Sequence, residues 1–225
     1  MENELYVDSI QFSYNDRFQL LTGVYLSCKI GEVIGLLGRN GTGKSTLMKI
    51  IFGSLKPKYA FIKINGKSTK QAFTTREVVY LPQASYLPTA ERVSTIVEAM
   101  FSDKEKRTLV LNDKRINMLK DQKVYELSGG ERRYLEILLL IHQKASYLLL
   151  DEPFSEIEPL YVEAIQELIL SHKSDKGFII SDHDYQNVLE VSTRITLLKD
   201  GGCLEIKDKK ELELFYVPEG TFSSK

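Results

Sequence analysis

The stretch "EVIGLLGRNGTGKSTLMKIIF", Glu32 to Phe52, reads as three pieces in a row. A near-continuous apolar run, Val33 to Leu37, is what a strand buried on both faces requires. A glycine-rich turn follows, and "GKSTLMKIIF" then has the character of a helix. Gly38, Gly43, Lys44 and Ser45 satisfy G-x-x-x-x-G-K-[ST] in the strand–turn–helix context that gives this pattern its meaning. Across Gly38, Arg39, Asn40, Gly41, Thr42, Gly43, Lys44, Ser45 and Thr46, backbone N–H groups can be aimed at phosphate oxygens. The positive end of the helix adds to that field. Lys44 reaches the β- and γ-phosphates, and the Ser45 hydroxyl can ligate Mg²⁺.

A metal beside phosphates wants a carboxylate at the end of a neighbouring strand. "SYLLLDEP" supplies Asp151 after an apolar run, with Glu152 next to it. Two adjacent carboxylates at a buried strand end are costly unless cations or hydrogen bonds compensate them. Asp151 is therefore assigned to the metal, directly or through water, and Glu152 to an attacking water as base or orienter.

Outward from these motifs the chain alternates. "ELYVDSIQF" and "VYLSCKI" alternate apolar and polar residues, as strands do. "REVVYLPQ" is a buried strand ending at Pro82, and the segment from Ala90 to about Val124 is helical and charged. Tyr134, Ile137, Leu138 and Ile141 recur at helical spacing, as do Val162, Ile165, Leu168 and Ile169. "GFIISDHD" is a strand, and "RITLLKDGGCLEI" a hairpin around Asp200, Gly201 and Gly202. The expected class is α/β: a mainly parallel sheet with helices on both faces, an N-terminal antiparallel β lobe and a short α-helical lobe.

The bulk numbers agree with one large domain or two small ones: 225 residues, 43% of them hydrophobic. A net charge of −1 gives no overall field toward nucleic acid, and none is expected as a partner. Lys56, Lys58, Lys63, Lys67 and Lys70 are read as a solvated hairpin or loop face. Two cysteines, Cys28 and Cys203, have neither metal-like nor disulfide-framework spacing, which fits a reducing compartment. The N-terminus has no secretory pattern. No apolar run approaches the ~20 residues of a membrane span, so another chain would have to supply any spans.

A second glycine turn, "LSGGERR" at Leu127 to Arg133, opens a second helix. Ser128 and Glu131 fit a capping box, which accounts for two backbone N–H groups. Capping leaves Gly129 and Gly130 unexplained, and such a pair suggests that something approaches the backbone closely. "GRNGTGKST", "LSGGE" and "LLLDEP", in this order and with Asp151 23 residues after Ser128, resemble the ATP-binding cassette (ABC) ATPases over nearly the whole chain. The resemblance implies a P-loop NTPase (RecA-like) core within a single nucleotide-binding domain, 1–225, whose helical lobe occupies about 88–130. It implies Mg²⁺-dependent ATP hydrolysis and a head-to-tail pair of cassettes, homodimeric or with a second cassette. In such a pair Ser128, Gly129 and Gly130 of one chain grip the γ-phosphate of ATP held by the other.

Further roles follow from the same resemblance. Tyr14, in "FSYND", corresponds to the aromatic that stacks on adenine, with Phe12 as the fallback. Gln83 matches the loop glutamine that touches Mg²⁺ and water, and His183 the histidine that contacts the γ-phosphate. With Lys44 and Glu152 they complete the expected catalytic set. The implied setting is cytoplasmic, at the inner face of a membrane through a permease subunit.

Three positions depart from the commoner pattern: Glu131 for Gln, Arg39 for Pro, and Glu158 for the Asp that usually ends the loop after the catalytic glutamate. "LSGGERRYLEI" and "LLLDEPFSEIEP" are similar to cassettes of lipopolysaccharide-export and branched-chain amino-acid transporters. A soluble cassette without a membrane partner, of the iron–sulfur assembly type, is the competing reading.

Overall fold

The N-terminal alternation builds an antiparallel pair, β1 (Glu4–Asn15) and β2 (Phe18–Lys29), in a computed structural model that describes residues 3–15 and 18–222. Its inward residues change phase, from Leu5 and Val7 to Ile10 and Phe12. A bulge absorbs the extra residue, with Ser9 at φ 55° and a register shift between Val7 and Ile10. β3 (Val33–Leu37) is buried throughout, and α1 (Lys44–Phe52) follows the glycine turn. β4 (Tyr59–Ile64) and β5 (Lys67–Ser68) close through Asn65-Gly66, so Lys63 and Lys67 do lie on a hairpin. The first sheet has the order β2-β1-β4-β5.

β6 (Val78–Leu81) precedes the helical segment, which holds α2 (Val93–Met100) and α3 (Lys104–Leu111). Helix does not continue to Val124 as the charge pattern predicts. Asp113 accepts from the backbone N–H of Arg115 and Ile116 and from the Tyr134 hydroxyl, offering the chain turns in place of helix. α4 (Gly129–Ile141) and β7 (Tyr147–Asp151) come next, then α5 (Pro159–His172) and β8 (Gly177–Ser181). α6 (Tyr185–Val191), β9 (Arg194–Lys199), β10 (Gly202–Ile206) and α7 (Glu211–Phe215) complete the described chain. The β9–β10 turn, Asp200-Gly201, has φ of 49° and 79°, the type I′ geometry that suits a two-residue hairpin.

The second sheet has the order β10-β9-β3-β8-β7-β6, parallel except for β10. One of its faces packs with α1 and the antiparallel sheet through Ile34, Leu36, Leu149 and Ile179. The other meets α4, α5 and α6 through Val33, Leu37, Leu148 and Ile180. Each such aliphatic side chain, fully buried, contributes roughly 1.5–3 kcal/mol. The C-terminal ends of β3, β6, β7 and β8 lie side by side, and the turns leaving them carry the polar residues singled out above. That is where an open α/β sheet places a ligand.

Candidate active site

The turn after β3 is held by its own groups. The Thr42 N–H and hydroxyl both donate to the Arg39 carbonyl, at 3.2 and 2.9 Å. Gly43, at φ 103°, caps α1 in a left-handed conformation that a side chain would strain. Lys44 is buried, 6% exposed, and its ammonium donates to the carbonyls of Gly38 (2.6 Å) and Arg39 (3.4 Å). Burial lowers its pKa, opposed by the carboxylates of Glu152, Asp151 and Asp182. The Arg39 and Asn40 side chains are exposed at the rim.

Asp151 is 1% exposed, and its carboxylate is met by three hydroxyls. Ser181 donates to Oδ1 at 2.7 Å, Ser45 to Oδ1 at 3.1 Å and Tyr80 to Oδ2 at 2.9 Å. Burial and the adjoining Asp151 carboxylate push the Tyr80 hydroxyl far above its ordinary pKa, so it stays a donor. The Gln83 side-chain amide lies 3.3 Å from Ser45 Oγ. The Ser45 hydroxyl and the Asp151 carboxylate gathered here are hard oxygen donors, with the Gln83 amide beside them. They fit Mg²⁺, which commonly takes one or two carboxylates and leaves the rest of its shell to phosphates and water.

Glu152, half-buried, follows at φ 53°, a conformation sparsely used by non-glycine residues. Its N–H donates to the Ser181 carbonyl at 2.7 Å, which pins the turn. The Glu152 and His183 side chains join Tyr14, Lys44, Ser45 and Gln83 in the wall of one cleft of about 680 Å³. His183 is 3.1 Å from Ser155 Oγ through Nδ1 and 3.5 Å from Asp182 Oδ1. A carboxylate and an imidazole facing a cation-lined loop can accept a proton from water and meet developing negative charge, respectively.

Tyr14 is 69% exposed at the end of β1, its hydroxyl 2.9 Å from Thr46 Oγ1 and its ring edge-on to Phe12. Phe12, the fallback for stacking, is packed in the core at 6% exposure and offers no face to a ligand. Phe18, at the start of β2, lines the cleft beside Tyr14 and was not anticipated.

Ser128, Gly129 and Gly130 are not among the residues lining this cleft. Ser128 caps α4 in a complete capping box: the Glu131 N–H donates to Ser128 Oγ (3.2 Å), and the Ser128 N–H to Glu131 Oε2 (2.8 Å). The two glycines differ. A Cβ on Gly130 would stand 2.5 Å from the Tyr161 ring and 2.6 Å from Glu158 Oε2. The close approach inferred from the glycine pair is therefore made, at Gly130, by the chain's own α5. On Gly129 a Cβ would meet only the Glu156 carbonyl, at 3.6 Å. Glu158 sits at the N-cap of α5 without a side-chain cap bond, and its longer stem carries the carboxylate over Gly130 instead. Gly130→Ala is expected to cost about 1–3 kcal/mol by overpacking, seen as a thermal midpoint lowered by several degrees. An unchanged midpoint would contradict the packing argument.

Further polar residues of the site region lay outside the sequence reading. Asp182, fully buried, accepts from the N–H groups of Phe154 (2.8 Å) and Asp184 (3.1 Å) and from Ser155 Oγ (2.9 Å). It ties the turn after β7 to the turn after β8. Glu136, 1% exposed within an apolar helix, pairs with Arg133 at 3.1 Å. Arg133 donates to the carbonyls of Pro82 and Gln83, and Tyr86 donates to Glu136 through its N–H and to the Glu136 carbonyl through its hydroxyl. Arg133 and Glu136, three residues apart at the start of the apolar run in "RRYLEILLLI", are the available signal for this pair.

Residues 21–155 match the family model described as ABC transporter. The chain is 30% identical over 226 residues to the lipopolysaccharide export system ATP-binding protein LptB of Acidithiobacillus ferridurans, covering 94% of this chain and 93% of that protein. It is 28% identical over 234 residues to the manganese transport system ATP-binding protein MntA of Synechocystis sp., covering 95% and 90%. In fold it is similar to a solved structure described as the ATP binding subunit of an ABC transporter. That likeness has a TM-score of 0.81 at 22% identity, over 93% of this chain and 92% of the other.

Proposed function

The chain belongs to the ABC transporter family, as an ATP-binding subunit and ATPase, and from that premise we propose how its residues divide the work. The observation that carries the reading is the gathering of Lys44, Ser45, Gln83, Glu152 and His183 in one cleft, with Asp151 bonded to Ser45 behind them. Tyr14 stacks on the adenine. The loop from Gly38 to Thr46 wraps the phosphates, and Lys44 draws negative charge toward the β- and γ-positions. Ser45, Gln83 and Asp151 would hold Mg²⁺, which supplies charge neutralisation on the phosphates when bound. Glu152 orients a water in line with the γ-phosphoryl group and accepts its proton, while His183 meets the charge that develops there. Most of the catalysis is positioning and electrostatics.

We assign the cover on the γ-phosphate side of the cleft to Ser128, Gly129 and Gly130 of a second cassette packed head to tail. Support comes from the two glycines: Gly130 is needed by α5, whereas Gly129 leaves an open approach to the backbone at the head of α4. The whole chain acts as one nucleotide-binding domain in this reading. Work is passed to a separate membrane subunit at the inner face of the membrane. Among the described residues no helix is long and apolar enough to cross a membrane. A groove of about 680 Å³ walled by Phe52, Phe73, Arg76, Met100, Phe101 and Lys106 is the surface offered to that subunit. The relatives' named cargoes, lipopolysaccharide and manganese, differ, so what the chain shares with them is the engine.

The test combines concentration and substitution. Specific ATPase activity is expected to rise with protein concentration as the pair forms. Gly129→Ala is expected to keep its thermal midpoint and lose at least roughly tenfold in activity, the size of a lost charge-assisted contact. Activity independent of dilution in a permanently monomeric protein would overturn the paired site.

A further inference from the structure

We propose that Tyr80 is a positioning residue that couples the groove offered to the membrane subunit to the Asp151 carboxylate. The inference rests on the metal and groove assignments made above, and it concerns one side chain that belongs to both places. Tyr80 lies on β6, the last strand of the six-stranded sheet, in register with Leu149 of β7. Its neighbours Val79 and Leu81 are buried, while its ring reaches the groove wall. There it stands against Phe52, with ring centroids 5.6 Å apart, and Phe52 stands against Phe73 at 5.7 Å. The far end of the same ring carries the hydroxyl that donates to Asp151 Oδ2 at 2.9 Å. A line of three rings thus runs from the groove to the carboxylate expected to face Mg²⁺.

The geometry gives Tyr80 a task distinct from filling space. Ser45 and Ser181 both donate to Oδ1 of Asp151, so Tyr80 alone of these donors fixes Oδ2. With both oxygens held, the plane of the carboxylate is set, and Oδ1 is presented toward Ser45. Without the Tyr80 hydroxyl the buried carboxylate loses the donor on one oxygen, which is costly in a site shielded from water. A helix of the membrane subunit pressing on Phe73 and Phe52 bears on the Tyr80 ring, and so on the orientation of Asp151.

The experiment reads metal affinity apart from turnover. In a Glu152→Gln background, which keeps nucleotide intact, the rise in thermal midpoint with saturating ATP is followed against Mg²⁺ concentration. Tyr80→Phe keeps the ring and removes only the hydroxyl. It is expected to raise the half-saturating Mg²⁺ roughly tenfold, as for a lost hydrogen bond to a charged group. The midpoint shift produced by ATP in chelator should stay the same. Phe52→Leu, in the groove wall, is expected to move the half-saturating Mg²⁺ in the same direction, and its effect should vanish once Tyr80 is Phe. An Asp151→Asn control separates the two layers of the argument. If Asp151→Asn shifts the Mg²⁺ curve and Tyr80→Phe does not, the positioning role is overturned and the metal assignment stands. If the Tyr80 and Phe52 effects simply add, the coupling to the groove is overturned. If Asp151→Asn leaves the curve unmoved, the metal assignment falls and takes this inference with it.

Discussion

Glu152→Gln is expected to give a folded protein that binds ATP, pairs around it and splits it ~10²–10⁴ times more slowly than the parent. The amide matches the carboxylate in size and can still hold a water, but it cannot take the proton. Backbone geometry argues that the fold will tolerate the exchange. The turn at Glu152, φ 53°, is pinned by its N–H bond to the Ser181 carbonyl, a main-chain contact that makes no use of the side chain's charge. Phosphate release at saturating Mg²⁺ and ATP measures the loss. Size-exclusion chromatography with ATP should show the long-lived pair. Undiminished turnover from clean mutant protein would remove Glu152 from the reaction.

The second large effect is expected at Lys44. Lys44→Met keeps the apolar stem and removes the ammonium, and ATP affinity should fall roughly 10- to 10²-fold, as one strong charge-assisted contact dictates. Hydrolysis should fall further, because the same charge serves the transition state. Binding of a fluorescent ATP analogue at equilibrium would measure the first effect. Stability should move the other way. Burial lowers the pKa of Lys44 below its unfolded value, so below that unfolded value the folded state carries an electrostatic penalty. The penalty lifts as pH rises through the folded pKa. The nucleotide-free Met variant is therefore expected to melt no lower than the parent at neutral pH. A clear drop in its midpoint would show that the ammonium is structurally required.

Much of this was legible in the residues because local pattern and local chemistry coincide. The Gly38–Ser45 turn, the apolar run before Asp151 and the Asp200-Gly201 hairpin each announce themselves within a short window. Phe12 and Tyr14 show where such windows stop. They are two residues apart on one face of β1, so alternation treats them alike, yet one lies in the core and the other extends past it. Tyr80 and Asp151 are 71 residues apart, and Glu136 meets Tyr86 across 50. Pairings at that range are decided by which strands and helices become neighbours, which a single sequence does not display. The crowding at Gly130 is hidden for the same reason, since the ring that fills the space beside it arrives from Tyr161.

The clasp between α4 and residues 82–86 has a mechanical consequence. Glu136 is sealed from water, and its cation Arg133 also holds the Pro82 and Gln83 carbonyls. Prying the segment from the helix would break the two bonds from the Arg133 guanidinium and the Tyr86 N–H bond to the Glu136 carboxylate, each charge-assisted and worth about 1.5–3 kcal/mol. Segment and helix must therefore travel together, like a handle riveted to its shaft. A tug at the tip of that shaft, near Ser128, is bound to drag the glutamine along.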